Sequence, residues 1–477
     1  MNIYATVVLA AGKGTRMRST LPKMLHPLAG LPLLAHVLKS IEAIPSTAAL
    51  DNTVSPHRPI VVLGHESRQV VAAFGDRCLY AIQSEQLGTG HAVLMAQSVI
   101  DMLDPLPQTV LVCYGDTPLI CSEVLASVVA EHIKSCAVVT FLTASCTHQS
   151  SDYGRVVRDT QGCVREIVEV KRATSEQLRI QEVNSGVYCF NRAWLWPTLQ
   201  TLPRNPAGEY YLTDLVAIAA TQEQLIATVQ GSLKETIGVN NRVQLAEAEQ
   251  IVRSRILERH LYAGVTMIDP ATTYIDEQVE IAPDTVILPN TMITGRTMIG
   301  SWCRIGPSTT IDQSTIGDRC TVQSSVLEQA ILEDDVRVGP FGHCRPGAYL
   351  ARGVRMGNFG EVKNSYIGPE TDMHHFSYIG DATVGACVNI AAGVITSNYD
   401  GKQKHHTNIG DGAFIGCDTT LVAPVTVGDH AYTGAGAVVS KDVSPHSLVV
   451  GVPARLLRML HSTDEATSSM AEEDKKE

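Results

Sequence analysis

Two glycines and three cations stand close together near the start of the chain. Gly12 and Gly14 alternate with Lys13, Arg16 follows in the run AAGKGTRM (Ala10 to Met17), and Lys23 closes LPK. Glycine lets the backbone approach a ligand and turn its N–H groups toward an anion. An ordinary tight turn would account for the glycines alone, and the run is neither G-x-G-x-x-G nor a Walker A. The clustered cations favour a cradle for a triphosphate or pyrophosphate. Farther on, QSEQLGTGHA (Gln83 to Ala92) sets amides before a glycine turn, and an amide offers a nucleobase edge both a donor and an acceptor. Asp116, in YGD, is a hard-oxygen ligand suited to Mg²⁺ that carries substrate phosphates, or else an ordinary cap.

A second polar set lies far downstream. Cys344 to Ala348, Asn358 to Lys363, His374 to Tyr378 and Ser397 to Lys404 interrupt an otherwise regular pattern. By itself His375 reads as a surface or packed histidine. Among Arg345, Lys363 and Tyr378 it reads as a general base beside a phosphate-binding pair.

These groups need elements to hold them. Tyr4 to Ala10, Ile60 to Leu63, Thr109 to Cys113 and Ala137 to Leu142 are β-branched apolar runs, the pattern of buried parallel strands. Helical stripes run between them, at Pro32 to Ile44, Val93 to Ile100 and Glu123 to Ile133. The alternation predicts a doubly wound parallel sheet, with Asp116 at a strand's carboxyl end where such sheets bind ligands. Thr213 or Asp214 is a plausible N-cap for the apolar helix after GEYYLTD. Gln244 to Leu261 reads as one long helix. Beyond it an isoleucine returns every sixth residue, at 275, 281, 287, 293, 299, 305 and 311. Neither a helix nor a continuous strand has that period. A short strand and a turn, repeated, does, and that is the hexapeptide pattern of a parallel β-helix. The spacing resumes at Ile409, Ile415, Leu421, Val427, Thr433 and Val439, with a middle set at Ile367, Met373 and Ile379, so loops are expected to leave the coil between the sets.

With 477 residues, two or more domains are expected. A net charge of −12 argues against a nucleic-acid partner, which would call for a basic stripe. The twelve cysteines form no C-x-x-C pair and read as buried, reduced thiols of a cytoplasmic protein. No secretory leader opens the chain and no run of eighteen apolar residues occurs, so no membrane role is expected.

The motifs LAAGKGTRM, LPK, EQLGTGHA, YGD, YGR, EVNSG, GEYYLTD and GVNNR occur in the order seen in sugar-1-phosphate nucleotidyltransferases. Over nearly its whole length the chain resembles the bacterial bifunctional N-acetylglucosamine-1-phosphate uridylyltransferase/glucosamine-1-phosphate N-acetyltransferases. The resemblance implies an N-terminal Rossmann-like nucleotidyltransferase domain (1–240), a linker helix (241–262) and a left-handed β-helix (263–461), with a disordered acidic tail (462–477). Leu9, Ala10, Gly12, Lys23, Gln83, Gly88 and Thr89 would hold uridine and phosphates. Gly154, Glu169, Asn184 and Asn240 would hold the sugar, and Asp116 with Asn240 would bind Mg²⁺. In the coil, His375 would deprotonate the amine of glucosamine 1-phosphate, which attacks acetyl-CoA. Arg345 and Lys363 would clamp the sugar phosphate. Tyr378, Asn389, Asn398, Tyr399 and Lys404 would surround the sugar and acyl donor, Glu361 would orient His375 or a neighbour, and Ala435 would lie along the cofactor.

The implied reactions are acetyl transfer to glucosamine 1-phosphate, then UMP transfer from UTP to N-acetylglucosamine 1-phosphate with release of pyrophosphate, in a homotrimer with acetyltransferase sites at subunit interfaces. The chain departs from the family pattern at Cys417, where serine is usual, at Ala391, where glycine is usual, and in its Val450 to Arg455 ending. The Pro45–Pro59 loop is longer than usual. A nucleotidyltransferase whose coil is only an oligomerising scaffold is the alternative, and His375, Lys363 and Arg345 speak against it. A sugar-nucleotide sensor would be expected to lose Asp116, Lys23 or Asn240.

Overall fold

The structure is a computed structural model that describes residues 2–44, 53–54, 57–64, 67–146, 153–205 and 208–460. Most of the Pro45–Pro59 loop and the whole acidic tail fall outside the described residues. Two compact units result, Met1–Val252 and Arg253–Glu477.

The longer strands of the first unit are β1 (Asn2–Ala10), β2 (Ile60–Leu63), β3 (Leu79–Ile82), β4 (Thr109–Tyr114), β5 (Val139–Ser145), β6 (Arg155–Arg158), β7 (Val164–Val168), β8 (Glu182–Asn191) and β9 (Ile226–Gly231). The apolar runs become strands because every second residue serves a different core. Ala5, Val7 and Leu9 of β1 pack into one layer, while Tyr4, Val8 and Ala10 pack into the other. Strand β1 pairs in parallel with β2 and β4, and β3 lies parallel outside β2. All four residues of β2 are buried, as expected of a strand covered on both faces.

The parallel expectation stops there. Strand β8 runs antiparallel to both β4 and β5, and β9 pairs in parallel with β5. The chain reaches β8 through the β6–β7 hairpin rather than through a crossover helix, which leaves its direction free to reverse. Helix Val93 to Ile100 is also interrupted: it forms as Thr89–Met95 and Gln97–Ile100, with Ala96 between.

In the second unit the six-residue period becomes geometry. All seven isoleucines from Ile275 to Ile311 are buried, as are Ile367, Met373 and Ile379 and the late set from Ile409 to Val439. Strands of two to four residues fill three faces of a left-handed parallel β-helix. Ile275 pairs with Ile293 and Ile293 with Ile311, so three hexads make one turn. Each buried isoleucine contributes roughly 1.5–3 kcal/mol. Register slips follow immediately, since Ile299 pairs with Ile316 and Ile311 with Leu327. The largest departure lies between Val384 and its partner Ile409, where the chain leaves the coil through Asn398 to His406. That loop is closed by a Tyr399–Lys404 bridge and by Asp400, which accepts from the Lys402 and Gln403 amides and contacts His405 at 2.7 Å. Helix Arg242–Tyr262 spans the boundary of the two units, with Ala248, Val252, Ile256 and Leu257 buried along it.

Candidate active sites

The carboxyl ends of β1 and β4 open into a cavity of 410 Å³. Leu9, Gly12, Lys23, Gln83, Gly88, Thr89, Asp116 and Asn240, all expected from sequence, line it together with Lys13, Arg16, Gln86, Tyr114 and Glu209. Ala10 lies behind the glycine loop, in an adjoining cavity of 310 Å³. Gly14 sits at φ +60, and a Cβ there would come within 2.8 Å of the Lys23 Cβ. Only glycine lets the loop rest on Lys23 in this way. Gly88 is at φ +98, and its missing side chain makes room for the Tyr210 backbone.

At the base of the cavity the Lys23 ammonium pairs with Asp116 Oδ2 and donates to Asn240 Oδ1 at 2.8 Å. Both oxygens therefore converge on one point of positive charge. Their backbones are tied together, since the Val239 amide donates to the Asp116 carbonyl at 2.8 Å. Two hard oxygens facing one cationic position suit a small divalent ion that takes its remaining ligands from phosphate and water. Asp116 caps no helix, because Ser122–Ser135 begins six residues later.

The expected sugar residues form a neighbouring group. Asn184 donates from its backbone to the Gly154 carbonyl and from Nδ2 to the Tyr188 hydroxyl at 2.7 Å. Gly186 (φ +79) packs directly on the Tyr114 ring, which joins this group to the cavity. Glu169 accepts from Thr213 Oγ1 at 3.0 Å, so Thr213 serves Glu169 and makes no side-chain cap. Burial raises the Glu169 carboxyl above its usual range, against the pull of that hydrogen bond. Burial likewise raises the Tyr114 phenol, with Glu169 and Asp116 adding to it. Gln86, Tyr114 and Gly186 were within reach of the sequence motifs, but their roles depend on contacts across strands.

On the coil, Arg345, Lys363 and Tyr378 come from successive turns. Strand Gly360–Lys363 pairs with Ser377–Gly380, and the Arg345 amide donates to the Val362 carbonyl. Arg345 binds Glu361 at 2.8 Å, so the neighbour that Glu361 engages is the arginine. Lys363 lies 3.7 Å from Asp381, which also accepts from Asn364 and Asn398, while Asn398 reaches the Tyr378 hydroxyl at 3.5 Å. Burial would raise the Asp381 carboxyl, but these donors and the lysines hold it below its ordinary value. Lys363 beside it lowers the Lys404 ammonium. Two crowded ammonium groups that share Asp381, next to a guanidinium paired with Glu361, are a site that an anion would relieve. Asp381 was not anticipated, although it directly follows the strand Ser377–Gly380 that carries Tyr378.

His375 is exposed, on the turn before Ser377–Gly380. That turn is stacked on later ones. The Gly393 amide donates to the Phe376 carbonyl, Asp418 to Ala392, and Gly436 to Cys417, each at 2.7–2.8 Å. His375, Ala392, Cys417 and Ala435 thus mark one edge of the prism over three coil spacings, about 14 Å. Asn389 occupies the adjacent face, between the Asp372 and Phe414 rungs, and Tyr399 stands exposed in the excursion loop. The thiols depart from the buried expectation in part, since Cys136, Cys163, Cys387 and Cys417 are exposed. Among the described residues no helix is long and apolar enough to cross a membrane.

An α/β unit with a glycine-cation cleft, followed by a hexapeptide coil with its own cluster of cationic side chains, has the build of a two-site transferase. Residues 6–209 match the MobA-like NTP transferase domain and residues 406–441 the bacterial transferase hexapeptide (six repeats). The chain is 46% identical over 453 residues to the bifunctional protein GlmU of Streptococcus pyogenes serotype M12, covering 94% of this chain and 95% of that one. Identity to GlmU of Heliobacterium modesticaldum is 47% (94% and 96% covered), and to that of Acetivibrio thermocellus 43% (94% and 95%). The chain belongs to the GlmU family of bifunctional proteins.

Proposed function

We propose that the chain acetylates glucosamine 1-phosphate with acetyl-CoA and then uridylylates the product with UTP, giving UDP-N-acetylglucosamine and pyrophosphate. The observation that supports the reading is a separate cluster of chemistry-bearing side chains in each unit: oxygen donors around Lys23 in one, and in the other Arg345, Lys363 and Lys404 on the coil face whose strand Ser377–Gly380 follows His375.

In the first unit the glycine loop and Arg16 hold the UTP phosphates, and Gln83 with Gly88 faces the base. Gly154, Glu169 and Asn184 hold the sugar so that its phosphate oxygen attacks the α-phosphorus while pyrophosphate leaves on the opposite side. The nucleophile is already anionic, so positioning and charge neutralisation suffice. Asp116 and Asn240 would hold Mg²⁺, which supplies charge neutralisation at the phosphates. Lys23 adds positive charge where negative charge develops.

In the second unit Arg345 and Lys363 bind the sugar phosphate, with Lys404 beside them. His375 takes the proton of the amine as nitrogen attacks the thioester carbonyl, and the CoA thiol departs. The pantetheine arm follows the edge from His375 past Cys417 to Ala435. A homotrimer in the cytoplasm completes the reading, with the hexapeptide coil as its assembly surface.

One preparation tests both halves. His375→Ala should lower thiol release from acetyl-CoA by two or more orders of magnitude and leave pyrophosphate release unchanged, as expected for loss of a general base. Asp116→Ala should do the reverse. Equal damage to both reactions by either substitution in folded protein would refute the two-site reading.

A further inference from the structure

We infer that His91 sets uridine selectivity by fixing which end of the Gln83 amide meets the base. This rests on the reading of the first cavity as a UTP site. Gln83 lines that cavity yet is only 3% exposed. Its Nε2 donates to the Gly88 carbonyl at 3.0 Å, and a carbonyl can only accept, so the nitrogen must face that way. The same Nε2 lies 3.0 Å from His91 Nδ1. Its second N–H is directed there, which requires His91 to keep Nδ1 unprotonated and carry its proton on Nε2.

With both amide hydrogens spent on the protein, the side chain presents Oε1 to whatever enters. Uracil offers N3–H to such an acceptor. Cytosine places a lone pair at the same ring position and is repelled, unless the amide rotates by half a turn. Rotation would set Oε1 against the Gly88 oxygen and the His91 lone pair together, so both contacts resist it. His91 is itself held. It lies on helix Thr89–Met95, which starts at Gly88, and its ring packs on Tyr210 with centroids 6.4 Å apart. Arg204 in turn donates to the Tyr210 hydroxyl at 2.8 Å. His91 is a positioning residue: it touches the group that reads the base and is not assigned to the substrate itself.

The test compares UTP and CTP as substrates of full-length protein carrying His91→Phe, His91→Asn or Gln83→Ala. His91→Phe should lower the UTP-to-CTP ratio of kcat/KM about five- to tenfold, the effect of losing one hydrogen bond. Most of that loss should appear in KM for UTP. His91→Asn, which returns an acceptor near the Nδ1 position, should recover a large part of the ratio. An equal loss with both nucleotides, or none, would make His91 a merely structural residue and overturn the inference, provided Gln83→Ala collapses the ratio. A ratio that survives Gln83→Ala would instead remove Gln83 as the base contact, and the reading beneath the inference with it.

Discussion

At the scale of single residues, the informative groups are those whose ordinary chemistry has been shifted by their surroundings. His132 is 4% exposed on helix Ser122–Ser135 with its ring Nδ1 3.0 Å from Thr140 Oγ1, and burial lowers its pKa to about 4. Its folded value lies below the unfolded value near 6.5, so the unfolded chain binds the proton first. Stability is complete above pH 6.5 and falls as pH drops toward 4, by about 3 kcal/mol in all. Urea unfolding of His132→Gln should show a flatter acid limb than the parent, and an identical slope between pH 6.5 and 4 would refute the assignment. Lys23 matters for its contacts instead, since its ammonium engages both the Asp116 carboxylate and the Asn240 amide oxygen. Lys23→Ala should abolish pyrophosphate release while leaving thiol release intact, as separate assays of the two reactions would reveal. Lys23 and Asp116 were both legible from their motifs. Asp381 was not, because nothing in the local sequence shows that Asn364, Asn398 and two lysines, drawn from different coils, converge on it.

At the scale of elements, glycine geometry and the isoleucine ladder make separate demands. Gly14→Ala puts a side chain at φ +60, costing about 1–2 kcal/mol, and presses it against Lys23. Turnover of UTP should fall by at least tenfold with little change in the melting of the second unit, as calorimetry with a parallel pyrophosphate assay would show. Ile293 is fully buried between Ile275 and Ile311 in register. Ile293→Ala should cost 2–5 kcal/mol in denaturant unfolding of the coil. The strand period and the ladder could be read from the chain because period six has no other physical solution. The antiparallel β8 could not, because an apolar run has the same appearance in either direction.

At the scale of the whole molecule, two units each carry a site whose parts come from distant stretches: Lys23 with Asn240, and Arg345 with Lys404 through Lys363. Light scattering should give three times the 51.4 kDa chain mass, and a single-chain mass would exclude the trimer. By itself the sequence determined the two-part architecture, the glycine-cation loop, the coil and most of the residues that line the first cavity, because glycine, charge and a strict repeat act locally. The tertiary structure alone decided partners. It gave Glu361 to Arg345 and Thr213 to Glu169, and it set His91 behind Gln83. A side chain's partner depends on which segments pack together, and that is settled by the whole core at once.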